Sequence, residues 1–207
     1  VTDTETPAVG RRDRKKQQTR AALMAAALRL VDERGLEKVT VEEISEAADV
    51  STRTFFNYFA GKDDAVIGDP LTDPDELWAE LLAQPAEMPM LDALVRAIEP
   101  SVRQIQAERT QWILRLRVIE RNPALLPALL ARGANAEVVY IAAIAERAGL
   151  PPDHPYPIVA ASVTGAAFRT AMIRWARADG VRPLFDYVQE AIGIVADGLV
   201  APSMGRN

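Results

Sequence analysis

Apolar residues recur at intervals of three and four along nearly the whole chain, and no sustained alternation of period two occurs, so the pattern predicts an all-α fold. The first helix is expected over about 14–34, with Leu23, Ala26, Ala27, Leu30 and Val31 on one face and Gly35-Leu36 as its stop. Two short helices follow within 40–59, and Lys62-Asp63-Asp64-Ala65-Val66-Ile67 opens a fourth that fails at Gly68-Asp69-Pro70. The Pro- and Asp-rich stretch 68–75 marks the expected division into two domains, 1–67 and 68–207. Beyond it the periodicity predicts helices at about 74–83, 88–106, 110–121, 123–148, 155–179 and 183–200. Pro100 lies inside the second of these and is expected to kink or divide it. Pro123 suits a first helical turn, and Gly149-Leu150-Pro151-Pro152 is a stop.

The pair of short helices within 40–59 carries the most information. Thr40 can cap the first and Glu43 can return the hydrogen bond to the Thr40 amide, a reciprocal capping box. Asp49-Val50-Ser51 then breaks the helix, and Ser51 is placed to cap the second. Phe55 and Phe59, four apart, can pack inward on Val50 and Ile44, which leaves Thr52, Arg53, Phe56 and Asn57 facing outward. A helix that shows a small hydroxyl, a guanidinium, an aromatic ring and an amide suits a DNA major groove. Arg53 is the first choice for a base contact because Arg can bind guanine bidentately, with Thr52, Phe56 and Asn57 beside it. Thr40, Tyr58 and Lys62 flank that face and are expected at phosphates, which position the protein while base contacts select sequence.

The run Val50-Ser51-Thr52-Arg53-Thr54-Phe55-Phe56-Asn57-Tyr58-Phe59, followed by Lys62, resembles the tetracycline-repressor (TetR) family of bacterial one-component regulators. The resemblance covers roughly residues 17–65. Position 49, usually Gly in that family, is Asp here, which can still adopt the left-handed turn conformation at some cost. Phe56 stands where the family usually has Tyr, so a phenolic contact to phosphate is lost, although the ring can still touch a thymine methyl. The resemblance implies a ligand-responsive repressor. A small molecule entering its C-terminal helical domain weakens DNA binding, a coupling between two sites.

Charge sharpens the picture. The net charge of −5 is unevenly spread: residues 1–62 carry 11 basic and 10 acidic side chains, whereas 63–207 carry 13 and 19. Between 10 and 20, Arg11, Arg12, Arg14, Lys15, Lys16 and Arg20 stand against Asp13 alone. Such a run reads as a basic arm that follows phosphates or enters a minor groove, with Arg11, Arg12, Arg14 and Lys15 as phosphate contacts, or else as a solvated tail.

The last two long helices hold more apolar surface than a one-faced helix needs. Leu184, Val188, Ile192, Val195 and Leu199 form one stripe, and Phe185, Ala191, Ile194 and Gly198 a second. The preceding helix carries Val159, Val163, Ala166, Ala167 and Thr170 around Gly165. These two helices from each of two chains are expected to form a four-helix homodimer interface, the alternative being one large monomeric core. A dimer would bind a pseudo-palindromic operator in double-stranded DNA. For the pocket that the resemblance implies, candidate lining residues are Trp112, Leu116, Ile119, Tyr140, Phe168, Met172 and Trp175, each of which also reads as plain core. Arg115 and Arg169 among apolar neighbours call for an anion. If both face a cavity, the effector is an apolar molecule with an acidic group, such as a fatty acid or acyl thioester.

Composition narrows the classes. There is no Cys, which excludes disulfides and thiolate chemistry, and His154 is the single histidine. No phosphate-cradling loop or dinucleotide fingerprint is present, so neither an enzyme nor a metal or cofactor site is expected. The longest uninterrupted apolar run, Val138 to Ala145, is far below the ~18 residues of a membrane span, and a cytoplasmic location is expected. The alternative to a DNA reader is a helical interaction dimer whose head binds no specific operator.

Overall fold

The structure is a computed structural model and describes residues 11–68 and 74–200. Every regular element among them is helical. In order these are α1 (Arg11–Arg34), α2 (Val41–Ala47), α3 (Thr52–Phe56), α4 (Lys62–Ile67), α5 (Pro74–Ala83), α6 (Met90–Ala107), α7 (Arg109–Arg121), α8 (Leu126–Ala148), α9 (Pro155–Arg177) and α10 (Leu184–Ala196). Single 3-10 turns occupy Leu36–Lys38 and Pro123–Leu125.

Two expectations are corrected. The basic run from Arg11 to Arg20 is no separate arm: it forms the first turns of α1. Pro100 does not divide its helix, because α6 runs unbroken from Met90 to Ala107. Ala97, Ser101, Val102 and Ile105 around it are all buried, so packing on both sides holds the helix together despite the missing amide donor.

The chain divides into two compact units. The first takes in the described residues up to Gly68 together with Val118–Ala128, and the second the remaining described residues. No single cut in sequence produces that division, because Val118–Ala128 lies between two parts of the second unit.

In the first unit α1 supplies Leu23, Ala27, Leu30 and Val31, which close over Ile44 of α2, Phe55 of α3, Phe59, and Ala65, Val66 and Ile67 of α4, all buried. Burying a phenyl ring contributes roughly 1.5–3 kcal/mol. Phe55 therefore anchors α3, and Phe59 the segment after it.

The second unit has two apolar clusters. One joins Val102 and Ile105 of α6, Trp112 and Ile113 of α7, Met172 and Trp175 of α9, and Leu184, Tyr187, Val188 and Ile192 of α10. The other joins Leu77 and Leu81 of α5, Ala93, Leu94 and Ala97 of α6, Ala143 and Ile144 of α8, and Ala161 of α9. Arg147 of α8 ties the end of α5 to the turn before α6, donating to the carbonyls of Leu81, Gln84, Pro85 and Met88 at 3.1, 2.9, 2.6 and 3.2 Å. Among the described residues one helical stretch, Pro123–Ala148, is apolar and long enough, by length and composition alone, to cross a membrane, although no uninterrupted apolar run in it approaches that length. Its Ala143, Ile144 and Ala145 are buried in the fold.

Candidate nucleic-acid interface and ligand cleft

Local hydrogen bonds build the two-helix element as the sequence predicted. The Glu43 amide donates to Thr40 Oγ1 at 3.2 Å and the Thr40 amide to Glu43 Oε2 at 3.0 Å, which closes the capping box on α2. Arg34 reaches Glu43 Oε1 at 2.9 Å. The Thr40 amide first, then the Thr40 hydroxyl and Arg34, hold the Glu43 carboxyl below its ordinary value near 4.5, against the opposing effect of burial. Asp49 takes the left-handed conformation at φ 53°, and Ser51 Oγ accepts the Thr54 amide at 3.1 Å to start α3.

Phe55 and Phe59 pack inward with ring centroids 5.6 Å apart. Arg53, Phe56 and Asn57 are left exposed and Thr52 half-buried. Phe56 is 57% exposed, an unusual state for a large apolar side chain, and its ring stands edge-on to Phe55 at 5.5 Å and 85°. Arg53 makes no ion pair or side-chain hydrogen bond among the described residues, so its guanidinium is available to an outside partner. One helix face thus presents Thr52, Arg53, Phe56 and Asn57 together.

The expected phosphate contacts fare unevenly. Thr40 is exposed, although its hydroxyl is engaged by Glu43 in the cap. Tyr58 is half-buried. Lys62 is corrected: its ammonium donates inward to the carbonyls of Leu36 at 2.8 Å and Val39 at 3.1 Å, pinning the turn that leads into α2. Arg14 and Lys15 are exposed on the first turns of α1, while the side chains of Arg11 and Arg12 lie outside the described residues. Sequence reasoning missed Arg20, which it counted only as part of the basic run. Arg20 donates to the Tyr58 carbonyl at 2.9 Å and stacks 4.4 Å from the Phe59 ring centroid, tying α1 to the segment after α3. The available signal was its place three residues before Leu23, on the buried side of the helix.

In the second unit the predicted pocket residues do not gather around one cavity. Trp112, Met172 and Trp175 are buried in a single core, with Leu116 and Phe168 packed against it. Tyr140 packs on the other cluster, and Ile119 falls in the first unit. Arg115 is 5% exposed, with its guanidinium 4.3 Å from the centroid of the Trp112 ring. Arg169 is exposed on α9. A cleft of about 490 Å³ lies elsewhere, between Met90 and Leu91 of α6, Pro155, Tyr156, Val159, Ala160, Val163 and Thr164 of α9, and Val195 of α10. None of its lining side chains is charged. His154 caps α9 by accepting the Tyr156 amide at 3.1 Å.

The expected dimer residues also separate. Val159, Ala166 and Thr170 are exposed on α9, and Val163 and Val195 half-buried. Leu184 and Val188, both 0% exposed, and Ile192, 8% exposed, are corrected: α10 turns this stripe into the chain's own core against α6, α7 and α9. Ile194, from the other stripe of α10, is 52% exposed.

Comparison with known proteins places these observations. Residues 23–66 match the model of the tetR family of bacterial regulatory proteins, and residues 88–200 that of the MftR C-terminal domain. The chain is 34% identical over 188 residues to the HTH-type transcriptional regulator TcmR of Streptomyces glaucescens, covering 84% of this chain and 83% of TcmR. The chain belongs to the TetR family. It is therefore a DNA-binding transcriptional regulator by kinship, in a family of regulators rather than enzymes. The fold agrees with that of NalD of Pseudomonas aeruginosa, the secondary repressor of the MexAB-OprM multidrug efflux pump, at a TM-score of 0.62 and 17% identity over 88% of this chain and 97% of that one. It agrees also with Thermus thermophilus FadR in complex with lauroyl-CoA, at 0.55 and 18% over 91% and 98%. Within this TetR-family chain, α2 and α3 are the helix-turn-helix, and Asp49 fills its turn with a left-handed conformation that glycine adopts more readily.

Proposed function

We propose that this protein is a ligand-responsive repressor that binds a pseudo-palindromic operator as a homodimer through α3. An apolar small molecule bound in its C-terminal helices releases it. The observation that carries the reading is the outward face of α3, where Arg53, Phe56 and Asn57 stand exposed. Arg53 and Asn57 are side chains suited to guanine and adenine edges, and Phe56 can add an apolar contact. Arg14, Lys15 and Tyr58 supply phosphate contacts around them. The asymmetry of charge supports the same assignment, since the basic cluster at 10–20 is on the side of the chain that carries α3.

For the effector, the cleft between α6, α9 and α10 has the size of a small-molecule site, for which about 300–1,000 Å³ is usual. Its lining offers no cation to an acidic group, so the effector proposed for it is uncharged and apolar. Of the lauroyl-CoA with which Thermus thermophilus FadR was solved, the acyl chain is apolar and the CoA part anionic, so only the chain is a precedent for such an effector.

The test is binding of the parent protein and of Arg53→Ala to the duplex upstream of its own gene and to scrambled DNA, across a salt series. The parent should prefer the upstream duplex and lose affinity steeply with salt. Arg53→Ala should cost about 1–3 kcal/mol on that duplex and relax its selectivity. Equal, weak binding to every duplex would instead favour a helical interaction dimer without a specific operator.

A further inference from the structure

We infer that Arg53 and Phe56 read neighbouring positions of one half-site, Arg53 a guanine and Phe56 the 5-methyl group of a thymine one or two base pairs away. The inference rests on the proposed role of α3 in base contact. Phe56 is 57% exposed, whereas Phe55 beside it is 0% exposed. The edge-on contact between the two rings, at 5.5 Å and 85°, seats the outward ring against a buried one. A phenyl ring has no hydrogen-bonding atom, so it can neither hold a phosphate nor match the donors and acceptors of a base edge. The major groove offers such a side chain one apolar group, the thymine methyl.

Spacing then links it to Arg53. The two residues are three apart in the same helix. Side chains so placed stand about 5–6 Å apart at Cβ, against about 3.4 Å of rise per base pair. Their contacts therefore fall one to two base pairs apart, and Arg53 takes guanine through O6 and N7.

The experiment selects duplexes from a random pool with the full-length protein, then replaces each thymine of the selected half-site by deoxyuridine, which removes only the methyl group. One thymine within two base pairs of a guanine should prove sensitive, its replacement weakening the parent about fourfold per half-site, as expected for returning one methyl-sized group to water. Phe56→Ala should bind the thymine and uridine duplexes equally while keeping the parent's helical content and urea midpoint, which a folding defect would not spare. Arg53→Ala should still distinguish them. Indifference of the parent to uridine at every position, or discrimination that survives in Phe56→Ala, overturns the inference and leaves the regulator reading intact. A pool in which no sequence is enriched overturns both.

Discussion

Lys62 directs its ammonium at two carbonyls of the turn before α2, at 2.8 and 3.1 Å, rather than at the surface that α3 presents. Hydrogen bonds from charged groups contribute about 1.5–3 kcal/mol each, and the two carbonyls would lose their partner together. Lys62→Met should therefore lower stability by about 2 kcal/mol, read as a lower urea midpoint, and leave the salt dependence of binding to random DNA unchanged. A lysine on phosphate would show the opposite: unaltered stability, and a slope smaller by about one counterion. The contrast with Thr40, Glu43 and Ser51 explains what was legible in the sequence at this scale. Their partners lie three residues away, so spacing alone identifies them. The partners of Lys62 lie 26 and 23 residues away, and that of Arg20 lies 38 away, so only the fold brings them together.

Helices were legible wherever one face is apolar, and the expected spans over 74–83, 110–121 and 155–179 differ from α5, α7 and α9 by at most two residues at an end. What periodicity could not weigh is a local breaker against burial. Pro100 lacks the amide that would bond back to the preceding turn and its ring crowds that turn, together about 3 kcal/mol in a helix interior. Ala97, Ser101, Val102 and Ile105 around it bury enough of α6 to offset that cost, so the helix continues. Pro100→Ala should recover part of it and raise stability by about 1–3 kcal/mol, a shift visible in the thermal midpoint. An unchanged or lower midpoint would mean that the proline shape is itself packed into the surrounding helices. The basic run misled for a related reason: charge marks Arg11 to Arg20 as exposed, yet exposure alone does not separate an arm from the solvated turns of α1.

At the scale of the whole molecule, the homodimer proposed above needs an apolar surface for a second chain to cover. After α10 has turned Leu184, Val188 and Ile192 into its own core, the outward sides of α9 and α10 still carry Ile173 and Ile194, 40% and 52% exposed. Gly165 and Ala166 lie exposed on the same helix, and a Cβ at Gly165 would meet nothing within 4 Å, which leaves room for a close helix approach. A competing surface exists on α8, where Leu126, Leu130 and Val138 are 47%, 70% and 67% exposed. The small residues of α9 favour the first. Ile194→Glu should then yield a monomer by light scattering with its helical content intact, whereas Val188→Glu, which buries a charge in the core, should unfold the domain. The monomer should lose far more affinity for the operator than for random DNA, because a palindrome gains from two heads acting together and a random duplex gains little. A dimeric mass retained by Ile194→Glu would move the interface to α8, and with it the geometry in which two copies of α3 meet their half-sites.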